Sequence, residues 1–307
     1  MKIYDKIARN NYQECLAITS LAKEEFFYLL EVFSGLWENY YKHYDLKGNI
    51  RQKPKFKEDA RISLCGTEEK LLFILTYLKE NPTQQYQGLL FGMSQGKVSI
   101  WVKCLLPILV QSLKILGVAA HREPCDLYKT LLVLSKTVLW IEASERKIPR
   151  SQDYERQQYE YSGKKKQHMV KNHILCDENG YIWYLSPTYA GSIHDKVMAE
   201  ESEYIFPEDT ILLEDLGYLG FRPEGAEVLT SFKKPRNGEL NKAQKQCNKV
   251  ISSIRVKVEH VFSSVKRLRI IKDKIRLKNT EMRDVVMVIA VGLHNLRCKF
   301  RQNIHHN

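Results

Sequence analysis

The chain has 307 residues, of which 44% are hydrophobic and 27% are charged, a composition typical of a globular protein rather than a disordered one. Its length allows two ordinary domains. The sequence contains no run of eighteen apolar residues, and its first eleven residues are polar and charged. We therefore expect neither a transmembrane helix nor a secretory signal. The seven cysteines are scattered and form no CxxC pair, which favours reduced thiols over a disulfide framework or a zinc site.

The positive charge is concentrated in one segment, residues 232–279. This segment has fifteen Lys and Arg residues against three acids, an excess equal to the net charge of +12 of the whole chain. Such a concentration predicts binding to a polyanion, because each phosphate that a cation neutralises releases counterions. A nucleic acid, an acidic protein partner and a merely solvated basic helix face all remain open at this point.

The first sixty residues predict an N-terminal helical region. Apolar residues recur at short intervals between Leu16 and Phe33, which favours helices, and an aromatic cluster follows from Trp37 to Tyr44. The polar and basic stretch from Lys47 to Lys57 is interpreted as a connector that ends this region.

Residues 61–127 show the pattern of a helix–turn–helix domain. The stretch from Glu68 to Lys79 is strongly amphipathic, and the following Asn81-Pro82 ends it as a helix. Thr83 is a candidate N-cap for a short second helix. The segment therefore predicts two helices before the turn that leads to a third.

The third helix of this segment is the candidate DNA-reading element. A turn containing Gly92 precedes Ser94, which we expect to cap a helix from Gln95 to about Leu106, just before Pro107. In such pairs the second helix enters the major groove, although many helical hairpins share the pattern. The predicted core positions are Val98, Trp101 and Val102, and the predicted DNA contacts are Gln95, Lys97, Ser99 and Lys103.

After Tyr128 the pattern changes from helical to mixed. Residues 131–141 are rich in β-branched and aromatic residues and predict a buried strand or a helix-to-strand passage. Two strands flanking the turn Asp177-Glu178-Asn179-Gly180 predict a hairpin over residues 168–185. Strands followed by helices favour an α/β or α+β domain. The remaining predicted elements are a strand at 210–214, a long helix at 242–269 and an apolar helix at 282–296.

Three carboxylates lie at positions suited to metal binding. Glu142 ends one buried apolar strand, Asp215 ends another, and Glu259 lies within the long basic helix. Carboxylates from two strand ends and a packed helix can hold two divalent ions, since hard cations such as Mg²⁺ prefer oxygen ligands. The structural alternatives are ordinary acids at strand ends and a glutamate that pairs with neighbouring cations.

Five segments of the chain occur in an order and spacing that are more specific than any single motif. The segments are EKLLFILTYLKENPTQQYQGLLFGMSQGKVSIW, YSGKKKQHMVKNHILCDENGYIWYLSPTYAGSIHD, LLEDLGYLG, FKKPRNGEL and IRVKVEHVFSSVKRLRI. From about residue 65 to residue 297 they resemble bacterial insertion-sequence transposases of the DDE superfamily, in the branch related to eukaryotic Harbinger elements. The resemblance implies an α-helical N-terminal region with a helix–turn–helix, an α/β RNase H-like catalytic domain at 128–300 with a mixed sheet flanked by helices, and a polar tail at 301–307.

The resemblance also implies a role for each acid. Asp215, in the EDLGY string, matches the family's second catalytic aspartate, and Glu142 stands where the first is expected. Glu259 matches the third acid, within an R-x3-E-x6-K signature formed by Arg255, Glu259 and Lys266. The three acids are thus the implied catalytic residues and ligands of two Mg²⁺ or Mn²⁺ ions. Asp195, in the GSIHD string, is a further candidate ligand or an orienting residue.

Glu142 departs from the family pattern, which has Asp at this position. Glutamate is one methylene longer, so its carboxylate lies roughly 1.5 Å farther out unless the strand shifts, an offset that can cost a hundredfold in rate. A tolerated Asp-to-Glu exchange, a decayed or repurposed copy and an engineered inactive variant are the three interpretations. Glu145 is a poor substitute ligand, because three positions along a strand place it on the other face.

The reaction that the resemblance implies is phosphoryl transfer on DNA, with cleavage at terminal inverted repeats and joining of the 3′ end to target DNA. The implied partners are double-stranded DNA and further copies of the chain, as a homodimer or higher oligomer, in the bacterial cytoplasm at the nucleoid and away from membranes. The rival hypotheses are a domesticated DNA-binding descendant without activity and a nuclease for RNA or branched DNA. The predicted backbone contacts are Lys164, Lys165, Lys166, Lys233, Lys234, Arg236, Arg255, Lys266 and Arg267.

Overall fold

The computed structural model describes residues 12–58, 62–134, 137–235, 238–277 and 279–304. In chain order the helices of this part are α1 (Tyr12–Thr19), α2 (Lys23–His43), α3 (Gly66–Glu80), α4 (Gln84–Phe91), α5 (Gln95–Ile115), α6 (Pro124–Val133), α7 (Tyr154–Glu160), α8 (Asp195–Glu201), α9 (Lys242–Val265), α10 (Arg269–Lys272) and α11 (Thr280–Ile304). The strands are β1 (Val138–Lys147), β2 (Tyr161–Ser162), β3 (Gln167–Asp177), β4 (Ile182–Leu185), β5 (Tyr189–Ala190), β6 (Ile205–Glu214) and β7 (Glu224–Thr230), and a 3₁₀ turn covers Leu216–Tyr218.

These elements group into two compact units. The helical unit consists of Met1–Ala119, Lys266–Asp273 and Lys278–Asn307, and the sheet unit consists of Ala120–Val265 and Lys274–Leu277. Helix α11 thus belongs to the helical unit, whereas the sequence assigned it to the catalytic domain. The reason is its buried apolar face, which packs against α5.

Local signals account for the helix–turn–helix within the helical unit. The Thr83 hydroxyl accepts a hydrogen bond from the Tyr86 amide at 3.2 Å, and the Ser94 hydroxyl accepts one from the Lys97 amide at 3.5 Å. Between the two caps, Gly92 adopts a φ of +64°, a left-handed conformation that ends α4 and that glycine adopts without strain. The predicted caps, the turn and the all-helical character of this region are confirmed.

Helix α5 is longer than the sequence predicted. Instead of ending near Leu106 it continues through Pro107 to Ile115. Proline removes one backbone donor from a helix, but its neighbours Leu106 and Ile108 are buried, and their packing offsets that cost. By length and composition α5 could span a membrane, yet 56% of the apolar window is buried. It packs against α2, α4 and α11 as a core helix does.

The sheet unit is organised around β1. On one side β1 pairs antiparallel with β3, whose other edge pairs with β2, β4 and β5; on the other side β1 pairs parallel with β6, which pairs parallel with β7. Helices flank this mixed sheet. The predicted RNase H-like fold class is therefore confirmed.

One face of this sheet carries the main apolar core of the sheet unit. Leu139 and Ile141 of β1, Leu175 of β3 and Leu212 of β6 all belong to one buried cluster, which also includes Tyr218. Successive side chains of a strand point to opposite faces, so the residues between them point away from this core. We call the side with this cluster the core face and the other side the open face.

Several predicted elements differ from the observed ones in extent. Residues 131–141 contain the end of α6 and the start of β1, so the helix-to-strand alternative is the correct one. Strand β6 begins at Ile205 rather than at 210, and α9 ends at Val265 rather than at 269. Strand β7 was not predicted, because its half-exposed sequence EGAEVLT contains two glutamates and a glycine. The seven cysteines are free thiols, as predicted.

Candidate active site

Two of the predicted catalytic acids lie at the same level of neighbouring strands, Glu142 within β1 and Asp215 directly after β6. The prediction that Glu142 ends its strand is wrong, because the pairing with β3 continues β1 to Lys147. In the parallel pairing of β1 with β6, Ile141 lies opposite Glu214. The next residue on each strand is Glu142 and Asp215, so the same register brings these two carboxylates side by side. Because Ile141 points into the core face, Glu142 points to the open face, and the alternation along β6 gives Asp215 the same direction.

The turn that follows Asp215 is closed by its own backbone. The Asp215 carbonyl accepts a hydrogen bond from the Tyr218 amide at 2.9 Å, and this bond forms the 3₁₀ turn. The turn returns the chain to the sheet, so the Tyr218 ring enters the core cluster. Burial of Tyr218 thereby anchors the backbone directly after Asp215.

The middle of β1 and the end of β6 carry a concentration of negative charge. Burial, followed by the negative charges of Asp195, Glu142 and Asp215, raises the pKa of the Tyr218 hydroxyl well above its ordinary value. Burial also raises the pKa of Glu214, which accepts a hydrogen bond from Thr230 at 2.7 Å. Because these carboxylates all raise the pKa of the same buried hydroxyl, they lie close to one another.

The donors at this position suit a hard cation. Glu142 and Asp215 provide carboxylate oxygens, the ligands that Mg²⁺ and Mn²⁺ prefer. Ser144 lies on the same face of β1 as Glu142, and its buried hydroxyl has no hydrogen-bond partner among the described residues. A buried hydroxyl of this kind fits a water or ion that enters the site. The chemistry of the residues present therefore fits a divalent metal.

Glu259 is not brought into a ligand set by this structure. It lies on α9, which packs against β1, and it is exposed although its neighbour Val258 is buried. Across the described ranges, no three Asp, Glu, His or Cys side chains lie close enough together to hold one metal ion. The predicted apolar side of this helix is also only partly correct, because Val250 is half exposed whereas Val261 and Val265 are buried.

Asp195 and Glu145 both contact a lysine that the sequence analysis did not select. The ammonium group of Lys171 lies 3.1 Å from Asp195 Oδ1 and 3.6 Å from Glu145 Oε1. Lys171 lies on β3 directly opposite Glu145. Glu145 points to the core face, as expected for a residue three positions from Glu142. It therefore does not lie beside Glu142 and Asp215.

The predicted DNA contacts of the helix–turn–helix are exposed or half-buried, as expected for a helix that begins after the Ser94 cap. Gln95, Lys97 and Lys103 are exposed on α5, and Ser99 is half-buried. Val98, Trp101 and Val102 are buried, which confirms them as core. One side of the first half of α5 is therefore free of core contacts and polar.

The predicted backbone contacts occupy several different places. Lys164, Lys165 and Lys166 are exposed in the turn between β2 and β3, and Lys233 and Lys234 are exposed after β7. Lys266 and Arg267 lie in the turn after α9 and belong to the helical unit, rather than to the long helix that was predicted for them. Arg236 and the side chain of Arg255 lie outside the described residues.

Sequence reasoning missed Lys171, Ser144 and Tyr218. The pattern HMVKNHIL predicts a strand but gives no reason to bury its lysine. The signal that could have found Lys171 is the cross-strand pairing, since an acid and a lysine opposite each other form a favourable pair. Such a pairing is visible only when the register of β1 and β3 is known.

Comparison with known proteins gives one family match in each of two regions of the chain. Residues 141–295 match the family model of the DDE superfamily endonucleases, and residues 63–115 match the helix–turn–helix of DDE superfamily endonucleases. The first match contains Glu142, Asp215 and Glu259, and the second contains α3, α4 and α5. The Harbinger-related branch is not distinguished by these matches.

One curated relative is similar over most of its length. The chain is 27% identical over 227 residues to a protein of Microchaete diplosiphon described as a probable transposase for insertion sequence element IS702, covering 73% of this chain and 78% of that protein. No solved structure gives a significant match. The family match spans half of the chain, and it covers most of the sheet unit, including Glu142, Asp215 and Glu259, and extends into α11 of the helical unit. The helix–turn–helix match precedes it in the chain. The chain belongs to the DDE superfamily endonucleases.

Proposed function

We propose that this chain is a DNA transposase that cuts the ends of a mobile element and joins them to new DNA. The observation that carries the proposal is the register of β1 and β6, which sets Glu142 beside Asp215 on one face of an RNase H-like sheet. A helix–turn–helix in the same chain supports double-stranded DNA as the substrate.

In this proposal Glu142, Asp215 and Glu259 hold two Mg²⁺ or Mn²⁺ ions. The ions would supply charge stabilisation for the attacking and leaving oxygens of an in-line displacement at phosphorus. Glu142 binds from the middle of β1 and Asp215 from the end of β6, and Glu259 binds from α9, the helix that packs against β1. Ser144 would hold a water molecule next to Glu142, because its buried hydroxyl has no partner among the described residues.

The reaction has two displacements. Water first attacks a phosphodiester at the end of the element and releases a strand with a 3′ hydroxyl. That hydroxyl then attacks a phosphodiester of the target DNA, forms the new phosphodiester bond, and releases the 3′ oxygen of the target strand. The exposed cations at Lys164–Lys166 and Lys233–Lys234 would hold the backbone through both displacements.

The helix–turn–helix would recognise the terminal inverted repeats. Gln95 suits a bidentate contact with adenine in the major groove, and Lys97 and Lys103 suit phosphates or guanine. Since two element ends must be joined in one reaction, the proposal includes a homodimer or higher oligomer on DNA. The proposal also includes that the protein is bacterial, associates with the nucleoid and belongs to the Harbinger-related branch.

A second candidate function is favoured by one residue. Glu142 is one methylene longer than the aspartate expected at this position, so its carboxylate reaches roughly 1.5 Å too far for a site built around aspartate. A descendant that still binds DNA but no longer cuts it would tolerate this change. The helix–turn–helix would then carry the function, and the acids would be remnants.

A strand-cleavage assay tests both candidates. The substrate is labelled duplex DNA taken from the two flanks of the coding region, and the proteins are the parent chain, Glu142→Asp and Asp215→Ala, with Mg²⁺ or Mn²⁺. The transposase proposal predicts cleavage that Asp215→Ala abolishes and that Glu142→Asp retains or increases. Cleavage by Glu142→Asp alone, on the order of a hundredfold above the parent, would assign the second function. Cleavage that survives Asp215→Ala would remove the proposed site.

A further inference from the structure

Lys171 is a buried cation that is held on three sides. Only 8% of it is exposed. Its ammonium group donates to the Ile193 carbonyl at 2.9 Å and to Asp195 Oδ1 at 3.1 Å, and it lies 3.6 Å from Glu145 Oε1. The first two contacts are hydrogen bonds, and the third, at 3.6 Å, is an ion pair longer than a hydrogen bond. Lys171 therefore has a fixed position and is not a cation available for DNA.

Glu145, which lies on one side of the Lys171 ammonium group, is also held in place. Glu145 Oε1 accepts a hydrogen bond from the Ser162 hydroxyl at 3.1 Å, and Ser162 in turn accepts one from the Lys165 amide at 3.3 Å. Glu145 and Lys171 also face each other across the β1–β3 pair. The lysine is thus anchored to the sheet before it reaches Asp195.

Asp195 is pressed against the turn that follows Asp215. A Cβ built on Gly217 would lie 2.9 Å from Asp195 Oδ2, closer than side chains normally approach. Only the absence of a side chain at Gly217 lets the carboxylate reach this turn. One oxygen of Asp195 therefore contacts Lys171 while the other lies against the backbone two residues after Asp215.

The direction of this contact argues against a ligand role for Asp195. Lys171 alternates with His173 and Leu175 along β3, and Leu175 belongs to the core cluster, so Lys171 points to the core face. Helix α8, which begins at Asp195, packs into the same cluster through Ala199. Glu142 points to the open face. Asp195 thus supports the Asp215 turn from behind the sheet instead of facing the metal side.

We propose that Asp195 is a positioning residue, held by Lys171, that fixes the turn after Asp215 and thereby the direction of the Asp215 carboxylate. This inference rests on the proposed function, since it assumes that Asp215 binds a metal ion. Lys171 and Gly217 contribute to the same positioning of Asp195. Lys171 clamps the carboxylate, and Gly217 provides the space in which the carboxylate meets the turn.

The test is a double-mutant cycle read by Mn²⁺ affinity. Mn²⁺ binding to the intact folded chain is measured by calorimetry for the parent, Gly217→Ala, Asp195→Ala and the double variant. Outer-shell residues typically contribute about 10- to 100-fold to metal affinity, so each single change should weaken Mn²⁺ binding within that range. Because the Gly217→Ala effect arises from collision with Asp195, it should disappear in the Asp195→Ala background.

Conservative variants separate positioning from ligation. Asp195→Asn keeps an acceptor for Lys171, so it should retain more Mn²⁺ affinity than Asp195→Ala, and Lys171→Arg should retain more than Lys171→Met. The matched control is Glu200→Ala on the same helix α8, whose half-exposed carboxylate pairs with the half-exposed Lys196 at 3.3 Å. This control should leave Mn²⁺ affinity unchanged.

The outcomes distinguish this inference from the proposed function. Additive effects of Gly217→Ala and Asp195→Ala, or unchanged Mn²⁺ affinity in both, would overturn the positioning role. A loss in Asp195→Asn as large as in Asp215→Asn would make Asp195 a ligand and would overturn it too. Failure of the parent and of Glu142→Asp to bind Mn²⁺, or binding that Asp215→Asn does not weaken, would overturn the proposed function itself.

Discussion

Within the described part of the chain, each of the two units buries one lysine, and they neutralise it in different ways. In the helical unit Lys70 is fully buried, donates to Glu58 and to the carbonyls of Leu64 and Gly66, and lies 4.9 Å from the centre of the Trp37 ring. In the sheet unit Lys171 lies between two carboxylates and one carbonyl. The helical unit pairs its cation with one acid and aromatic rings, whereas the sheet unit surrounds its cation with acids.

This difference indicates what each lysine does. The Glu58 carboxylate also accepts a hydrogen bond from the Trp37 indole at 2.6 Å, so Lys70 joins the start of α3 to the N-terminal helix α2. It is part of the scaffold that holds α5, the helix proposed to read DNA. Lys171 lies on the core face of the sheet between Glu145 and Asp195, and Asp195 lies against the turn that follows Asp215. One buried lysine stabilises the fold, and the other supports the site under the proposed positioning role of Asp195.

The largest expected effect is the loss of the Lys70 cluster. Removing one partner of a buried ion pair leaves the other charge without a partner, which is costly. Because the Glu58 side chain is 26% exposed, water reduces this cost, and Lys70→Met should lower the free energy of unfolding by about 2–4 kcal/mol. Denaturant unfolding measures it. Lys129→Met, which breaks an exposed pair with Asp126, is the control and should leave stability nearly unchanged, because solvent screens this pair. Equal effects of the two variants would contradict the scaffold role of Lys70.

The second prediction concerns the reading face of α5. Gln95→Ala should reduce discrimination between the cognate DNA and a mutated duplex by about 1–3 kcal/mol. Lys97→Ala should instead weaken binding to both duplexes alike and lower the salt dependence by about one counterion. Fluorescence anisotropy at several salt concentrations gives both quantities. Lys114→Ala, exposed in the last turn of the same helix, should change neither, and an effect as large as that of Lys97→Ala would place the DNA elsewhere.

The third prediction is a pH dependence that only the sheet unit should show. Burial lowers the pKa of His173 to about 3, and its Nε2 lies 2.6 Å from the Tyr204 hydroxyl. A buried base of lowered pKa contributes stability that is complete above the ordinary pKa near 6.5 and that is lost as the pH falls towards the folded value. One pH unit below 6.5, the parent should lose about 1.4 kcal/mol of unfolding free energy.

The histidine variants make this prediction specific. His173→Gln should be less stable than the parent at pH 7.5 but should lose less stability than the parent between pH 6.5 and 5. Part of the loss remains because burial also lowers the pKa of His121. His260→Gln, an exposed position on α9, should keep the parent's pH dependence. A parent whose stability does not fall over this range would contradict the buried, neutral state of His173.

The smallest expected effects are those of the helix caps. Thr83→Ala and Ser94→Ala should each destabilise the helical unit by about 0.5–1 kcal/mol, because each removes the acceptor of one backbone amide at a helix start. Thr83→Ser and Ser94→Thr, which keep the hydroxyl, are the controls. Thermal unfolding measures the differences, and the longer 3.5 Å bond of Ser94 should give the smaller loss.

The sequence predicted those features that depend on neighbouring residues. The caps Thr83 and Ser94 and the turn at Gly180 need only a few residues to form, so their side chains determine them locally. The continuation of α5 through Pro107 depends instead on burial against other helices, which overrides the local preference against proline. Local sequence patterns therefore predicted where most helices and strands occur, but they did not predict where these elements begin and end.

The candidate site was predictable only where the family resemblance reached. Glu142 and Asp215 were selected at the predicted ends of apolar strands and from the resemblance. The structure places Glu142 within β1, and the strand register sets the two residues side by side. Lys171 and Gly217 could not be selected, because their roles arise from contacts between β3, α8 and the turn after β6. No spacing within one segment encodes a contact of that kind.

The central claim is that metal ions bind where β1 and β6 place Glu142 beside Asp215. The direct measurement replaces Mg²⁺ with Fe²⁺ and adds ascorbate and peroxide, so that radicals formed at the bound ion cut the nearby protein backbone. The account predicts cuts close to Glu142 and Asp215 that excess Mg²⁺ suppresses and that Asp215→Asn abolishes. Cuts elsewhere in the chain, or cuts near these residues that persist in Asp215→Asn, would contradict it.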